Sequence, residues 1–128
     1  MTPERRKLKR AQLIQRIRTV ERAQSALAAS EAEATRTRLA GVAERTRSLA
    51  QHYADHQGEM VGADLRGGKA MRDQLLKLSE ISEKQAAEAS LQSQAKREVF
   101  AQSDLRLRKA KEGTRDLVRS IVAELQKG

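Results

Sequence analysis

A single proline, Pro3, and the bunching of four of the seven glycines between Gly58 and Gly68 leave this chain few folds to choose from. Proline lacks an N–H and clashes with the preceding turn, so it interrupts a helix everywhere except in the first turn. Glycine reaches φ > 0 without steric cost and lets a chain reverse. Outside the cluster only Gly41, Gly113 and Gly128 remain. The two interior glycines each cost a helix about 1 kcal/mol, too little to end arms of this length. The pattern predicts a helix over about 3–56, a corner over about 57–68 and a second helix over about 69–127. Two helices so long, joined by a short corner, are expected to fold back on each other as one domain. The expected fold is all-α, a long antiparallel two-helix coiled-coil hairpin.

Composition supports helices and argues against a globular core. Twenty of the 49 apolar residues are alanine, and Tyr53 and Phe100 are the only aromatics. A compact core needs more large side chains than that. The abundance of Ala, Glu, Lys, Leu, Arg and Gln is that of long helices. Disorder is the alternative for so polar a chain, and the sustained apolar spacing opposes it. There is no cysteine, so disulfides and thiolate metal or redox sites are excluded. Polar residues interrupt every apolar stretch, and neither a signal-peptide core nor a membrane span can be drawn. A soluble, cytoplasmic protein is expected.

The net charge of +9 is unevenly placed. Residues 1–20 hold Arg5, Arg6, Lys7, Lys9, Arg10, Arg16 and Arg18 against Glu4 alone. Residues 101–128 hold Arg106, Arg108, Lys109, Lys111, Arg115, Arg119 and Lys127 against four acidic groups. The eighty residues between carry twelve of each sign. In a hairpin the two ends meet, which predicts a neutral shaft with one positive tip. Such a tip steers toward something acidic.

Each arm carries a stripe at three- and four-residue steps. In the first, Ile14, Ile17, Glu21, Gln24, Ala28, Ala32, Thr35, Leu39 and Val42 continue through Thr46, Leu49 and Tyr53. In the second, Met71, Leu75, Leu78 and Ile81 lead to Leu91, Ala95 and Val99. Leu107, Ala110, Thr114, Leu117, Ile121 and Leu125 close it. Folding about residues 62–63 pairs positions whose numbers sum to about 125, and sets Phe100 against the Ala23–Ala29 stretch.

Chemical motifs are scarce. His52 and His56 stand four apart with Asp55 and Glu59 nearby, a spacing that can hold a metal, but no third histidine or cysteine completes a ligand set. Arg66-Gly67-Gly68-Lys69 departs from a phosphate loop in frame and lacks the preceding strand. No nucleophile–base grouping can be assembled, and a two-helix rod has no interior in which to desolvate one. No enzymatic activity and no cofactor are expected. The run Arg5–Arg18 could contact nucleic-acid phosphates, though no aromatic is interleaved for stacking. Leu8, Leu13, Ile14 and Ile17 beside it could lie on an acidic membrane surface. Non-specific nucleic-acid binding and plain self-association therefore stand as alternatives to a protein-partner role.

The whole layout resembles the FliJ family. The features that carry the resemblance are the basic N-terminus, Leu49-x-x-x-Tyr53 near the end of the first arm and a glycine-bearing corner. Leu78, Ile81 and Gln85 early in the second arm complete them. The family consists of soluble proteins of the bacterial flagellar type III export apparatus, with equivalents in injectisomes. The resemblance implies a coiled-coil stalk that enters the export ATPase ring, touches the membrane export gate and escorts export chaperones. It implies that Arg5, Arg6, Lys7, Lys9, Arg10, Arg16 and Arg18 face the ring with Arg106, Arg108, Lys109, Lys111, Arg115 and Arg119. The gate contact would fall on Gln74, Leu78, Ile81 and Gln85. Family members often carry an aromatic where this chain has Gln74 or Leu75. Localisation would be cytoplasmic, with peripheral association at the inner-membrane export apparatus.

Overall fold

A computed structural model describes residues 2–56 and 63–127, which form two α-helices and, among the described residues, no strand. Helix α1 spans Pro3–Asp55 and α2 spans Ala63–Lys127. The fold is an all-α helical hairpin whose helices run antiparallel.

Helix α1 starts where the proline allows it to. Thr2 caps it: the Arg5 amide donates to Thr2 Oγ1 at 3.3 Å and the Arg6 amide to the Thr2 carbonyl at 3.1 Å. Pro3 then occupies the first helical position, where its missing N–H costs nothing, and Glu4 faces the positive end of the helix dipole. At the other end the expected corner needs correction. Residues 57–62 lie outside the described residues, and α2 begins at Ala63, so Gly67 and Gly68 are helical. A helix of 65 residues absorbs the propensity cost of two glycines.

The chain divides into two compact units, each built from a stretch of both helices. The first combines Met1–Ser30 with Ala95–Gly128 and the second comprises Glu31–Gln94. In the first, Arg22 Nε donates to Asp104 Oδ1 at 2.7 Å. In the second, Ser93 Oγ donates to Glu33 Oε2 at 2.8 Å and Arg47 Nε to Glu83 Oε1 at 3.1 Å. The paired numbers sum to 126, 126 and 130, close to the register expected from a fold about residues 62–63.

The seam keeps Ala32, Leu39, Thr46, Tyr53, Leu75 and Leu107 through Ile121 of the expected stripes and differs from them elsewhere. In the first unit α1 turns Leu8, Ala11, Gln15, Arg18, Arg22, Ser25 and Ala29 inward, and α2 turns Phe100, Ser103, Leu107, Ala110, Thr114, Leu117 and Ile121. In the second, α1 contributes Ala32, Arg36, Leu39, Ala43, Thr46, Ala50 and Tyr53, and α2 contributes Arg72, Leu75, Ser79, Ser82, Ala86, Ala89 and Ser93. Every series advances by alternating three and four residues, the 3.5-residue period that keeps a seam facing its partner in a left-handed supercoil. Ile14, Ile17, Gln24 and Leu49 are exposed instead, as are Met71, Leu78, Ile81, Leu91, Ala95, Val99 and Leu125. The reason is continuity. The stripe begun at Ile14 needs Glu21 and Gln24 at the seam, whereas the adopted register meets no acidic residue along either arm. Its arginines are accommodated because their stems cover the seam while their heads find carboxylates. Arg18 pairs with Glu21 at 2.9 Å, Arg22 with Asp104, and Arg36 with Glu33.

Phe100 is half-buried, and the Arg22 guanidinium lies over its ring, 5.3 Å from the centroid. Arg22 immediately precedes the Ala23–Ala29 stretch expected opposite Phe100.

Candidate docking surfaces

Small side chains dominate the interior. Among the described residues the buried apolar side chains are Ala43, Ala50, Ala89 and Leu107, and the buried polar ones are five serines and Thr46. Thr46 and Ser103 spend their hydroxyls on the carbonyls four residues back, at 2.7 and 3.0 Å. Helices meeting through serine and alanine bury little, and most large aliphatic residues lie outside. What the molecule offers to others is therefore the outer faces of its helices and their charge.

The expected basic tip is assembled within one unit. All thirteen basic residues proposed for it fall in the unit that joins the two chain ends. That unit holds seventeen Lys and Arg against seven Asp and Glu, a net of +10; the other holds nine against ten, a net of −1. Arg5, Arg6, Lys7, Lys9, Arg10 and Arg16 are exposed on α1, and Arg106, Arg108, Lys109, Lys111, Arg115 and Arg119 on α2. Arg18 is half-buried and bound to Glu21. Arg108 reaches Asp104 at 2.9 Å, so Asp104 sits between Arg22 and Arg108. The hydrogen bond from Arg22 holds the Asp104 carboxyl below the usual aspartate range, with the charges of Arg108, Arg22 and Lys111 acting in the same sense.

The residues matched to the gate contact lie on the second unit. Gln74, Leu78, Ile81 and Gln85 are all exposed, and Met71 extends the same face. Leu78 and Ile81 are half accessible at 50% and 53%. Their three- and four-residue steps keep them on one outer stripe of α2, clear of the serine seam at Ser79 and Ser82.

A further stripe on α1, Leu13, Ile17, Val20 and Leu27, was assigned in part to the seam by sequence and belongs outside it. The sequence cue is a second heptad series set two residues from the seam, on the opposite face of the helix.

His52 and His56 pack ring against ring with centroids 4.1 Å apart, and His56 Nδ1 donates to the His52 carbonyl at 2.8 Å. That nitrogen is committed to the backbone. Among the described residues no three His, Cys, Asp or Glu side chains group to hold a metal. Among them, too, no helix is long and apolar enough to cross a membrane. No family model matches the chain, and neither a curated protein nor a solved structure does so.

Proposed function

We propose that this chain is a non-enzymatic coiled-coil adaptor that works through helix-face contacts with protein partners. In its specific form the proposal is a stalk and chaperone-escort component of a bacterial flagellar or related type III export apparatus. The observation that carries it is the polarity of charge: both basic ends fall in one unit at +10, while the other unit is nearly neutral. A concentrated charge of that size accelerates and orients encounter with an acidic target more than it tightens the complex. An export ATPase ring is the target that the resemblance to the FliJ family implies for Arg5–Arg18 and Arg106–Arg119. The exposed Leu78 and Ile81, flanked by Gln74 and Gln85, offer the gate a separate apolar contact. Two partners on two units suit an escort protein.

Pull-down against the export ATPase and the cytoplasmic domain of the export gate tests this reading. Binding to both is expected, lost to the ATPase when Arg5, Arg6 and Arg10 are neutralised and lost to the gate in Ile81→Glu. No binding to either at low salt refutes it. The charge of the first unit also supports a second reading, non-specific nucleic-acid binding, which predicts a DNA mobility shift that weakens steeply with salt.

A further inference from the structure

The outer face of α1 carries a second heptad seam. Leu13, Ile17, Val20, Gln24 and Leu27 advance by four, three, four and three residues, opposite the face that packs on α2. The four aliphatic members are 52%, 52%, 56% and 62% accessible, and Ile14 borders them at 43%. At about 1.5 Å per residue the stripe is roughly 21 Å long. We propose that this stripe is a docking seam for one acidic amphipathic helix of a partner protein, held in a third-strand position against α1. The inference holds whether or not the chain serves an export apparatus.

Shape selects a helix as occupant. A membrane-surface helix presents a broad apolar face, upward of about 100° wide, and favours aromatic residues at the interface. Apart from Ile14 at its border, this stripe is a two-position seam with no aromatic member, the narrow kind that interlocks with another helix. Gln24 interrupts it once, and a lone polar residue in a seam fixes register and partner number.

Charge selects an acidic occupant. Lys9 and Arg16 stand three or four residues from Leu13 and Val20 along the helix, the positions that flank a seam. Arg6 and Arg10 continue the same three-and-four series toward the N-terminus. The one carboxylate at the border, Glu21, is taken up by Arg18 at 2.9 Å. A second copy of this chain would bring another unit of +10 against the first. A helix with glutamates at its flanking positions meets no such repulsion and pairs with Lys9 and Arg16.

The test is a fluorescence-anisotropy titration of the full chain with two synthetic probes. Each is a peptide of about four heptads, the length needed for a sustained seam, with leucine at both core positions. One carries glutamate at the flanking positions and the other lysine. The glutamate peptide is expected to bind at least about tenfold more tightly than the lysine peptide. Ile17→Glu combined with Val20→Glu should weaken it by about thirtyfold or more, the scale of a central hot spot. Circular dichroism checks that this variant keeps its helicity. Lys9→Glu with Arg16→Glu touches no seam contact and should reverse the preference toward the lysine peptide. Equal binding of the two peptides would overturn the proposal. So would a concentration-dependent mass in sedimentation that Ile17→Glu abolishes, since the occupant would then be a second copy. Binding of anionic vesicles that Ile17→Glu abolishes, with neither peptide bound, would assign the stripe to lipid instead. Peptide binding that survives while the export proteins fail to bind would reject the export reading alone.

Discussion

Ser93 is the side chain on which the close approach of the helices can be tested most directly. It has no exposed surface and is the one fully buried side chain among the described residues of a fold with just two helices. Its hydroxyl donates across the seam to Glu33 at 2.8 Å, and Glu33 is held from its own helix by Arg36. Ser93→Ala removes one hydrogen bond and leaves Glu33 paired and 45% exposed, so no charge is stranded. The expected loss is about 1 kcal/mol. Ser93→Leu separates two pictures of the seam. If the backbones were held apart by ordinary coiled-coil spacing, a leucine there would bury new apolar surface and stabilise the fold by about 2 kcal/mol. If serine and alanine set the spacing, leucine overpacks a site with no room and costs about 1–3 kcal/mol beyond the lost hydrogen bond. For a chain of this size 1 kcal/mol moves the midpoint by about 3–5 °C. Thermal unfolding followed by far-ultraviolet circular dichroism should therefore place Ser93→Ala slightly below the parent and Ser93→Leu clearly below both. A leucine variant that melts at or above the parent refutes the close-packed seam.

Other changes probe the remaining supports. Leu107→Ala deletes the one large buried aliphatic side chain among the described residues of the first unit, and should cost about 2–3 kcal/mol in urea unfolding, the low end for leucine because an open two-helix seam can relax. Gly113→Ala should stabilise by about 0.4–1 kcal/mol, since a Cβ there meets nothing within 4 Å and the helix gains propensity; Gly41→Ala should behave alike. Asp104 gives the pH dependence. Its folded pKa is depressed by Arg22, so its contribution is present above the unfolded value of about 3.9 and is lost as pH falls through the lower folded value. Acid titration of stability should show that loss in the parent, and not in Asp104→Asn.

How much of this was legible in the sequence depends on which residues carried the information. Backbone chemistry was plain: Pro3 marked the start of α1, and the basic ends were brought into one unit as the hairpin required. The closing part of the α2 seam, Leu107 through Ile121, was also read correctly, because there the largest residues of the stripe are the ones that face inward. Ala32, Leu39, Thr46 and Tyr53 of α1 and Leu75 of α2 likewise stand both in the expected stripes and in the seam. The remaining seam positions are masked by their small side chains. A search for apolar periodicity favours Leu, Ile and Val, so it followed Leu78, Ile81, Leu91 and Val99 and passed over Ser79, Ser82, Ala89, Ser93 and Ser103. Those small residues hold the unbroken heptad. Weighting the period by small volume, not by hydropathy, would have found it. The seam arginines were invisible for a different reason, since Arg22 qualifies only through Asp104, eighty-two residues away.

A seam of small residues changes what partner binding means for this fold. In a self-contained coiled coil the large aliphatic side chains face inward, and their burial is the main term that holds the strands together. Here the buried positions, Leu107 apart, are alanine, serine and threonine, whose burial releases little apolar surface, while Leu13, Ile17, Val20, Leu27, Leu78 and Ile81 keep half or more of theirs in water. The hydrogen bonds that cross between the helices, at Arg22, Ser93 and Arg47, specify register more than they supply stability, because each replaces hydrogen bonds to water. The largest unused source of stabilisation is therefore external. A helix laid along an outer stripe binds the folded hairpin and not the unfolded chain, and mass action then adds its binding free energy to the stability of the fold. Folding strength and occupancy become linked quantities. The register that turns small residues inward turns large ones outward, where another chain can reach them.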